Sequence, residues 1–293
     1  MKRCLATACA VALCVLAPAA AQADWKPKDK GNRIAGELDW WSTSNVDSLT
    51  WGISAQLELI KTLHLDLEIP LTYVTYDVPA DGDGIALGNP TAGLHFAAKL
   101  NRNVAIHVGG KVSMSTQLEP RLAPTSSIAG LSVDDRTFAS ERGALARAMF
   151  DMHRLYPGYF FVRPRAGIEV TLIPNIYYRG DISPVIWLPI GEEVDDVEFF
   201  IEQGNEFEAR APAGIGGGIR FQQVFPVSGL DFAPGEDDGI QTAIEPYLTF
   251  DPDRAGLVAR VGFLVAIDEV QGFGLDEGDT KVGTLRVQVG GKW

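Results

Sequence analysis

Cysteine is scarce in this chain, and what there is lies at the N-terminus. The three cysteines among the 293 residues are Cys4, Cys9 and Cys14. The remainder of the sequence therefore offers no thiol nucleophile, no cysteine-based metal site and no disulfide.

Basic charge is also in deficit, and long apolar runs are missing. The formal net charge is −13 at neutral pH, which argues against nucleic acid as a partner. Beyond the first residues, no charge-free apolar run has the length of a transmembrane helix. No linker or low-complexity stretch divides the chain, so the sequence predicts one large domain over residues 24–293.

An export signal precedes that domain. Lys2 and Arg3 stand before an apolar stretch over residues 5–16, and residues 21–23 have the Ala-Gln-Ala pattern that a signal peptidase cleaves. The apolar stretch is too short to cross a bilayer comfortably. We therefore expect residues 1–23 to be a cleaved signal peptide and Asp24 to begin the mature chain.

Strict alternation of apolar and polar residues is the most informative pattern in the domain. In Leu-His-Leu-Asp-Leu-Glu-Ile, residues 63–69, the apolar residues fall on one face of a strand and His64, Asp66 and Glu68 on the other. The pattern recurs between an export signal and an aromatic C-terminus. These features predict a transmembrane β-barrel in the outer membrane of a Gram-negative bacterium. A soluble β-sandwich is the alternative, but its strands rarely place several ionisable groups on the far face.

Twelve segments have the length of a tilted membrane strand. They lie near residues 33–43, 48–60, 62–76, 90–100, 103–116, 141–153, 158–172, 197–210, 213–224, 241–250, 256–268 and 282–293. Tight turns are expected at Lys61, at residues 101–103 and 156–158, around Pro212 and at 251–253. They alternate with long polar loops, which predicts an all-β, up-and-down antiparallel barrel of about twelve strands, within a range of roughly ten to fourteen. Two segments fit least well, since 141–153 has helical character and 174–196 could hold two more strands.

One face of each long strand carries no charge. The charge-free rows take every second residue from Leu49 to Leu59, Ala92 to Leu100, Val104 to Met114, Phe160 to Leu172 and Leu257 to Ile267. Pro164 interrupts the fourth row. We expect these rows to face outer-membrane lipids, with lipopolysaccharide as a further partner.

The opposite faces predict a charged lumen. The expected lumen-lining residues are His64, Asp66, Glu68, His95, Lys99, His107, Lys111, Arg163, Arg165, Glu169, Glu198, Glu202, Glu206, Glu208, Arg220, Glu245, Arg260 and Arg286. In one interpretation these side chains are cross-strand ion pairs that hold a water-filled or plugged interior. In the other, Arg163 and Arg165 face the glutamates of residues 198–208 across a permeation path for small-molecule solutes.

The C-terminal segment predicts a partner in assembly. Residues 283–293 alternate and end on Trp293, which resembles the terminal strand signal that the outer-membrane assembly machinery recognises. The departure is Gly291, where that signal usually has a larger apolar residue. Trp293 also suits the aromatic girdle at a membrane interface.

Two glycine-containing motifs carry a looser resemblance. Residues 88–96, Gly-Asn-Pro-Thr-Ala-Gly-Leu-His-Phe, resemble the motif that begins a strand in transporter-like outer-membrane barrels of the phenol meta-degradation group. Residues 212–220, Pro-Ala-Gly-Ile-Gly-Gly-Gly-Ile-Arg, are similar to a glycine-rich strand of such barrels. The resemblance implies a barrel of about this size and passage of small, often hydrophobic compounds.

Neither an enzyme nor a metal site is expected. Barrel-type lipid-modifying enzymes need a hydroxyl group within hydrogen-bond reach of a histidine imidazole. None of the four histidines here has a serine two positions later on the same strand face. Acidic clusters occur in the long loops, around residues 77–83, 134–135, 192–196, 236–238 and 276–279. None forms a complete calcium loop, so we expect solvated loops and neither metal nor cofactor.

These observations predict a channel or transporter for small molecules, with a charged polar lumen. Two alternatives remain. One is a structural or surface-interaction barrel with a closed lumen and acidic external loops. The less favoured one is a lipid-modifying barrel enzyme. A continuous water path distinguishes the first two, since a channel needs one and an anchor does not.

Overall fold

A computed structural model gives the fold. It describes residues 31–43, 46–76, 82–116, 135–190, 197–228, 240–252, 256–267 and 283–293. The expected signal peptide lies outside the described residues, as do the acidic clusters apart from Asp83 and Asp135. Within the described ranges, no helix is both long enough and apolar enough to cross a membrane.

Antiparallel strands form nearly all of the described structure. They are β1 Arg33–Ser42, β2 Val46–Ile60, β3 Leu63–Tyr76, β4 Gly82–Leu87, β5 Thr91–Lys99, β6 Val104–Met114, β7 Tyr159–Ile173, β8 Ile176–Pro189, β9 Glu198–Arg210, β10 Ile215–Ser228, β11 Gln241–Phe250, β12 Gly256–Ala266 and β13 Gly283–Lys292. Apart from β4 and β5, which both pair with β3, each strand pairs with its neighbours in chain order, and β1 pairs with β13. The sheet therefore closes into an up-and-down barrel.

The barrel wall has twelve positions because β4 and β5 share one. β4 pairs with residues 71–76 of β3, and β5 pairs with residues 63–68 of the same strand. Gly88, Asn89 and Pro90 separate the two short strands. The prediction of an antiparallel barrel of about twelve strands is confirmed.

One strand assigned from the sequence is wrong and one wall strand was not assigned, and the two differences compensate in the count. Residues 141–153 are not a strand. They belong to helix α1, Asp135–Leu145, to the turns that follow it and to a short 3₁₀ helix at Met152–Arg154. The missing wall strand is β8, which the sequence left as part of 174–196. The tight turn accordingly lies at residues 174–175, between β7 and β8, and not at 156–158.

Apolar side chains cover the outside of the barrel. In the predicted charge-free rows, Ile53, Leu94, Val108 and Phe263 are exposed, while the residues that alternate with them on the same strands are more enclosed. Such an apolar exterior matches a hydrocarbon environment, in which closed barrels leave no backbone group unpaired.

Residues 135–156, called the inserted segment here, fold into the barrel from the long-loop end. α1 packs against the inner faces of β2, β3 and β4, where Ala139 contacts Val74 and Ala86. Gly143 permits the close approach, since a Cβ there would lie 2.6 Å from the Thr72 hydroxyl oxygen.

Apolar side chains surround the inserted segment after α1. Residues 144–155 pack against inward-facing side chains from seven strands, β1 and β7 to β12. Among these, Trp41, Phe161, Trp187 and Phe200 are at most 1% exposed. The long-loop half of the lumen is therefore filled by a hydrophobic core. From residue 143 to residue 155 apolar and charged side chains alike are largely buried, so a pattern of alternating faces does not describe this segment, and the alternation rule misassigned it.

The backbone of the inserted segment is strained at its tip. Ala148, Met149 and Asp151 have φ angles of 51°, 61° and 62°, a left-handed region that costs energy for residues other than glycine. Such a conformation persists only where surrounding contacts impose it. Ala148 and Met149 pack in the hydrophobic core, and the wall holds Arg147 and Asp151 on either side of them, through the Arg147–Asp39 ion pair and the hydrogen bond from Asp151 to Glu202.

Candidate functional site

Arg147 links the inserted segment to the wall at β1. Its guanidinium forms an ion pair with Asp39, and its Nη2 donates to Oδ2 of Asp151 at 3.1 Å. Asp39 also accepts a hydrogen bond from Nε of Arg286 on β13, at 3.0 Å. Asp39 and Arg147 are buried. Because an unpaired buried charge is costly, each fixes the position of the other.

Arg154 makes a second link on the same side. Its Nη1 donates to Oε2 of Glu37 on β1 at 2.8 Å, and its Nε lies 3.4 Å from Oε2 of Glu68 on β3. Glu68 also forms an ion pair with Lys111 on β6. The burial of Arg154 opposes its charge, but Glu37 and Glu68 outweigh that effect and raise the pKa of the guanidinium.

Arg163 on β7 holds the segment from across the lumen. Its Nη2 lies 2.7 Å from Oε2 of Glu202 and 3.2 Å from Oδ1 of Asp151. The backbone N–H of Asp151 donates to Oε1 of Glu202 at 2.9 Å. Burial would raise the pKa of Asp151, but Arg163 and Arg147 hold it well below its usual range. The segment is thus tied to β1 and β3 on one side and to β7 and β9 on the other.

Backbone contacts add to these ion pairs at the break between β4 and β5. The Asn89 Nδ2 donates to the carbonyl oxygens of His153 and Tyr156, at 3.0 and 2.7 Å. The Asn89 N–H donates to the carbonyl of Arg154 at 2.6 Å. A Cβ at Gly88 would lie 2.6 Å from that same carbonyl oxygen. The motif at residues 88–90 therefore interrupts the wall strand where it binds the inserted segment.

A further charged network lines the wall from β13 to β9. Arg286 donates from Nη1 to Oε2 of Glu245 at 3.0 Å, and Arg260 donates from Nη2 to Oε1 of the same glutamate at 3.1 Å. The Arg260 Nη1 lies 3.3 Å from Oε2 of Glu206. The other carboxylate oxygen of Glu206, Oε1, accepts from the Tyr247 hydroxyl at 2.8 Å. Arginines and glutamates therefore alternate around this part of the lumen.

Two cavities lie in the lumen below the hydrophobic core. One, of about 190 Å³, lies beneath the tip of the inserted segment and is bordered by Phe150, Asp151 and Arg163. The other, of about 250 Å³, extends to Arg33 and Asp251 at the short-turn end. Several residues border both cavities. Charged side chains dominate both linings, which suits water and polar solutes.

The structure places all the sequence-predicted lumen residues on the inner face of the barrel. Some meet as direct partners: Lys111 with Glu68, His95 with Asp66, Arg163 with Glu202, and Arg260 with both Glu206 and Glu245. His64 stacks on His95, with 4.8 Å between ring centroids. The structure shows where these side chains lie, and the role of these residues in permeation stays a prediction.

Arg165 binds an acidic residue of β8, a strand that the sequence did not place between β7 and β9. The strand β8 lies between β7 and β9, and its Asp181 accepts from Nη2 of Arg165 at 3.0 Å. Asp181 also binds Arg179 at 3.2 Å and the Nε2 of His107 at 2.7 Å. Glu198 likewise accepts from the Tyr159 hydroxyl, at 2.9 Å.

Several residues of the network are not among those that the sequence predicted. They are Glu37, Asp39, Arg147, Asp151, Arg154, Arg179, Asp181, Arg210, Asp251 and Lys292. The alternation within β1 could have identified Glu37 and Asp39, which point to the same face. Arg147 and Asp151 had no such signal, because the sequence assigned residues 141–153 to the wall, and Arg154 directly follows that segment.

Searches of known protein families and of curated proteins find no match to the sequence. Solved structures do match. The COG4313 outer membrane channel from Pseudomonas putida F1 superposes with a TM-score of 0.59 and 12% identity, over 95% of this chain and 100% of that chain. The NanC porin superposes with a TM-score of 0.55 and 8% identity, over 89% of this chain and 100% of that one.

The fold is that of an outer-membrane β-barrel. At these identities the likeness concerns the fold alone. Membership of the phenol meta-degradation group, suggested by residues 88–96 and 212–220, stays a prediction. Within the described part of this barrel, the residues that border the two cavities form the candidate functional site.

One group of residues in the described structure has the composition of a metal site. Potential ligand atoms of Asp151, His153 and Glu202 lie within 4.8 Å of one another. Both carboxylates already form ion pairs with Arg163, so a metal ion would have to displace that guanidinium. His153 is 1% exposed, and neither ring nitrogen has a hydrogen-bond partner. Burial and the nearby Arg163 hold its pKa well below the ordinary value of 6.5.

This environment predicts a pH dependence of stability. His153 stays neutral in the folded chain while the unfolded chain binds a proton below about pH 6.5. The free energy of unfolding should therefore fall as the pH drops from 7.5 to 5, by up to about 1.4 kcal/mol per pH unit from this residue. His153→Phe, which is neutral at every pH, should remove that contribution. Urea unfolding in lipid vesicles measures it, and an identical slope in both proteins would contradict the prediction.

Proposed function

We propose that the protein is a channel or transporter for small molecules in the outer membrane of a Gram-negative bacterium, narrowed by its own inserted segment. The observation that carries the proposal is the pair of charged cavities along the barrel axis, which together extend from the inserted segment to the short-turn end. A soluble or purely structural core does not need polar space of this kind, because buried charges are costly. The likeness in fold to outer-membrane channels supports it.

The surroundings proposed for the barrel follow from its surfaces. The charge-free outer rows suit outer-membrane lipids, and lipopolysaccharide suits the long-loop end. Trp293 is 58% exposed next to β13, in keeping with recognition by the outer-membrane assembly machinery. Absence of enzymatic activity stays a prediction.

A second candidate function is a closed structural or surface-interaction barrel. The observation that favours it is the hydrophobic core around the inserted segment, in which Trp41, Phe161 and Trp187 are almost fully buried. In this case the polar cavities would hold water without leading across the membrane. The two functions differ in whether ions cross.

Conductance of the refolded mature chain in a planar bilayer tests the proposal. We expect discrete steps, with a shift toward cation selectivity in Arg165→Gln, because that change removes a positive charge from the cavity lining. Asp181 keeps Arg179 and His107 as partners in this variant, so the fold should survive.

The matched control is Arg102→Gln, which removes the same charge from an exposed turn and should leave selectivity unchanged. Heat-modifiable migration on a gel verifies folding of each protein. A silent bilayer with correctly folded protein would exclude the channel and favour the closed barrel.

A further inference from the structure

Arg220 on β10 differs from the other arginines that border the cavities. Its neighbours in register on the two adjacent strands are Glu206 and Glu245, yet both carboxylates are engaged by Arg260. Glu245 also binds Arg286. Among the residues that the structure describes, no carboxylate lies within ion-pair distance of the Arg220 guanidinium.

The position of Arg220 makes this guanidinium accessible from the lumen. It borders both cavities and is only partly buried. Gly204 on β9 faces inward beside it, and a Cβ there would lie 3.3 Å from Nη2 of Arg220. Because Gly204 has no side chain, the Arg220 guanidinium has room to lie against the barrel wall at this point.

The charge of the lining agrees with an unmatched cation. The 190 Å³ cavity is bordered by eight basic and seven acidic side chains, and the 250 Å³ cavity by five basic and four acidic ones. Each lining thus has one positive charge in excess, although the whole chain has a formal charge of −13. Arg220 belongs to both linings and accounts for the excess in each.

The inserted segment supplies an apolar surface next to this charge. The Phe150 ring lies with its centroid 5.0 Å from Cζ of Arg220 and 6.0 Å from Cζ of Arg163. The ring can occupy one face of the Arg220 guanidinium, while the N–H groups at the edge of the guanidinium are available for a ligand. A guanidinium edge matches the geometry of a carboxylate, which it binds with two parallel hydrogen bonds.

We propose that Arg220 binds the carboxylate of a small organic anion at the junction of the two cavities, with the body of the ligand against Phe150. This inference rests on the proposed function, since it names the solute class that the lumen would accept. The cavities are smaller than the roughly 300–1,000 Å³ of pockets for drug-sized ligands, so the ligand is a small monocarboxylate.

Isothermal titration calorimetry on the refolded mature chain in detergent tests this site directly. The probe is benzoate, and the uncharged benzamide is its analogue of the same shape. We expect benzoate to bind and benzamide to bind at least about tenfold more weakly, a difference of about 1.4 kcal/mol. Arg220→Gln should weaken benzoate binding by about tenfold or more, whereas Arg102→Gln, in the exposed turn, should not alter it.

Arg220→Gln should fold, because it deprives no carboxylate of an ion-pair partner in the described structure. Arg220→Lys is the second variant, since it keeps the charge but loses the planar edge and should bind benzoate with intermediate affinity. The proposal is overturned if benzoate does not bind the wild type, if benzamide binds equally well, or if both Arg220 variants bind benzoate as the wild type does.

The two proposals fail in distinguishable ways. A silent bilayer together with benzoate binding that depends on Arg220 would overturn the channel and retain the anion site. Conductance steps without benzoate binding would retain the channel and overturn the anion site.

Discussion

Single-channel conductance is expected to rise several-fold when residues 135–156 are replaced by a short glycine–serine connection. The inserted segment fills the long-loop half of the lumen, where residues 144–155 pack against seven strands. Barrels of eight strands are filled by their own side chains, whereas those of sixteen or more leave an aqueous channel. A twelve-stranded barrel lies between these limits, so its conductance should depend strongly on what occupies the interior.

The comparison requires planar bilayers at one salt concentration for both proteins. Heat-modifiable migration must first show that the shortened protein is folded. An unchanged conductance in a folded variant would mean that ions do not pass where the inserted segment lies, which would contradict the proposed path.

Arg163→Ala is expected to lower the free energy of unfolding by about 3–5 kcal/mol, the cost of removing one partner from a buried ion pair. Arg163 lies between Asp151 and Glu202, at 3.2 and 2.7 Å from their nearest oxygens. Without the guanidinium, a buried carboxylate, Glu202, and a partly buried one, Asp151, would remain close together. Urea unfolding of the protein in lipid vesicles gives the difference.

Two further variants isolate the cause of that loss. Adding Glu202→Gln to Arg163→Ala should restore part of the stability, because it removes one of the two like charges. Arg165→Ala is the matched single change, since Asp181 keeps Arg179 and His107 as partners, and it should cost less. Equal losses for Arg163→Ala and Arg165→Ala would show that the link to the inserted segment adds no stability.

The barrel itself could be predicted from local sequence, because a wall strand has two different environments. Residues 63–69 alternate between lipid and lumen, and β3 indeed presents His64 and Asp66 inward while Leu67 and Ile69 are exposed. Period-two patterns of this kind fix which side chains face the interior without any knowledge of tertiary structure.

The inserted segment could not be predicted in the same way. Apolar Leu145 and Met152 and charged Arg147 and Arg154 are all buried, so burial in this segment does not follow residue type. The ionic partners could not be predicted either, since they depend on the number of strands that separate two positions. Once β8 is placed between β7 and β9, Arg165 meets Asp181 on β8, while Arg163 still pairs with Glu202 on β9.

The motif at residues 88–90 shows how a correct observation can have an incomplete explanation. Its Gly-Asn pair suggested the beginning of a strand, and β5 does start at Thr91. The role of Asn89 is different, because its side chain binds carbonyl oxygens of His153 and Tyr156. Those contacts join residues more than sixty positions apart, which no local pattern reveals.

The position of the barrel's closing seam has a consequence for the order of assembly. The seam lies between β1 and β13, and both strands hold the inserted segment: Asp39 pairs with Arg147, and the Thr284 hydroxyl donates to the carbonyl of Ala146 at 2.5 Å. Residues 39 and 284 become neighbours in the wall only when the last strand joins the first. The interior therefore acquires its final arrangement at the end of biogenesis, and a sheet that still lacks its last strand cannot complete it.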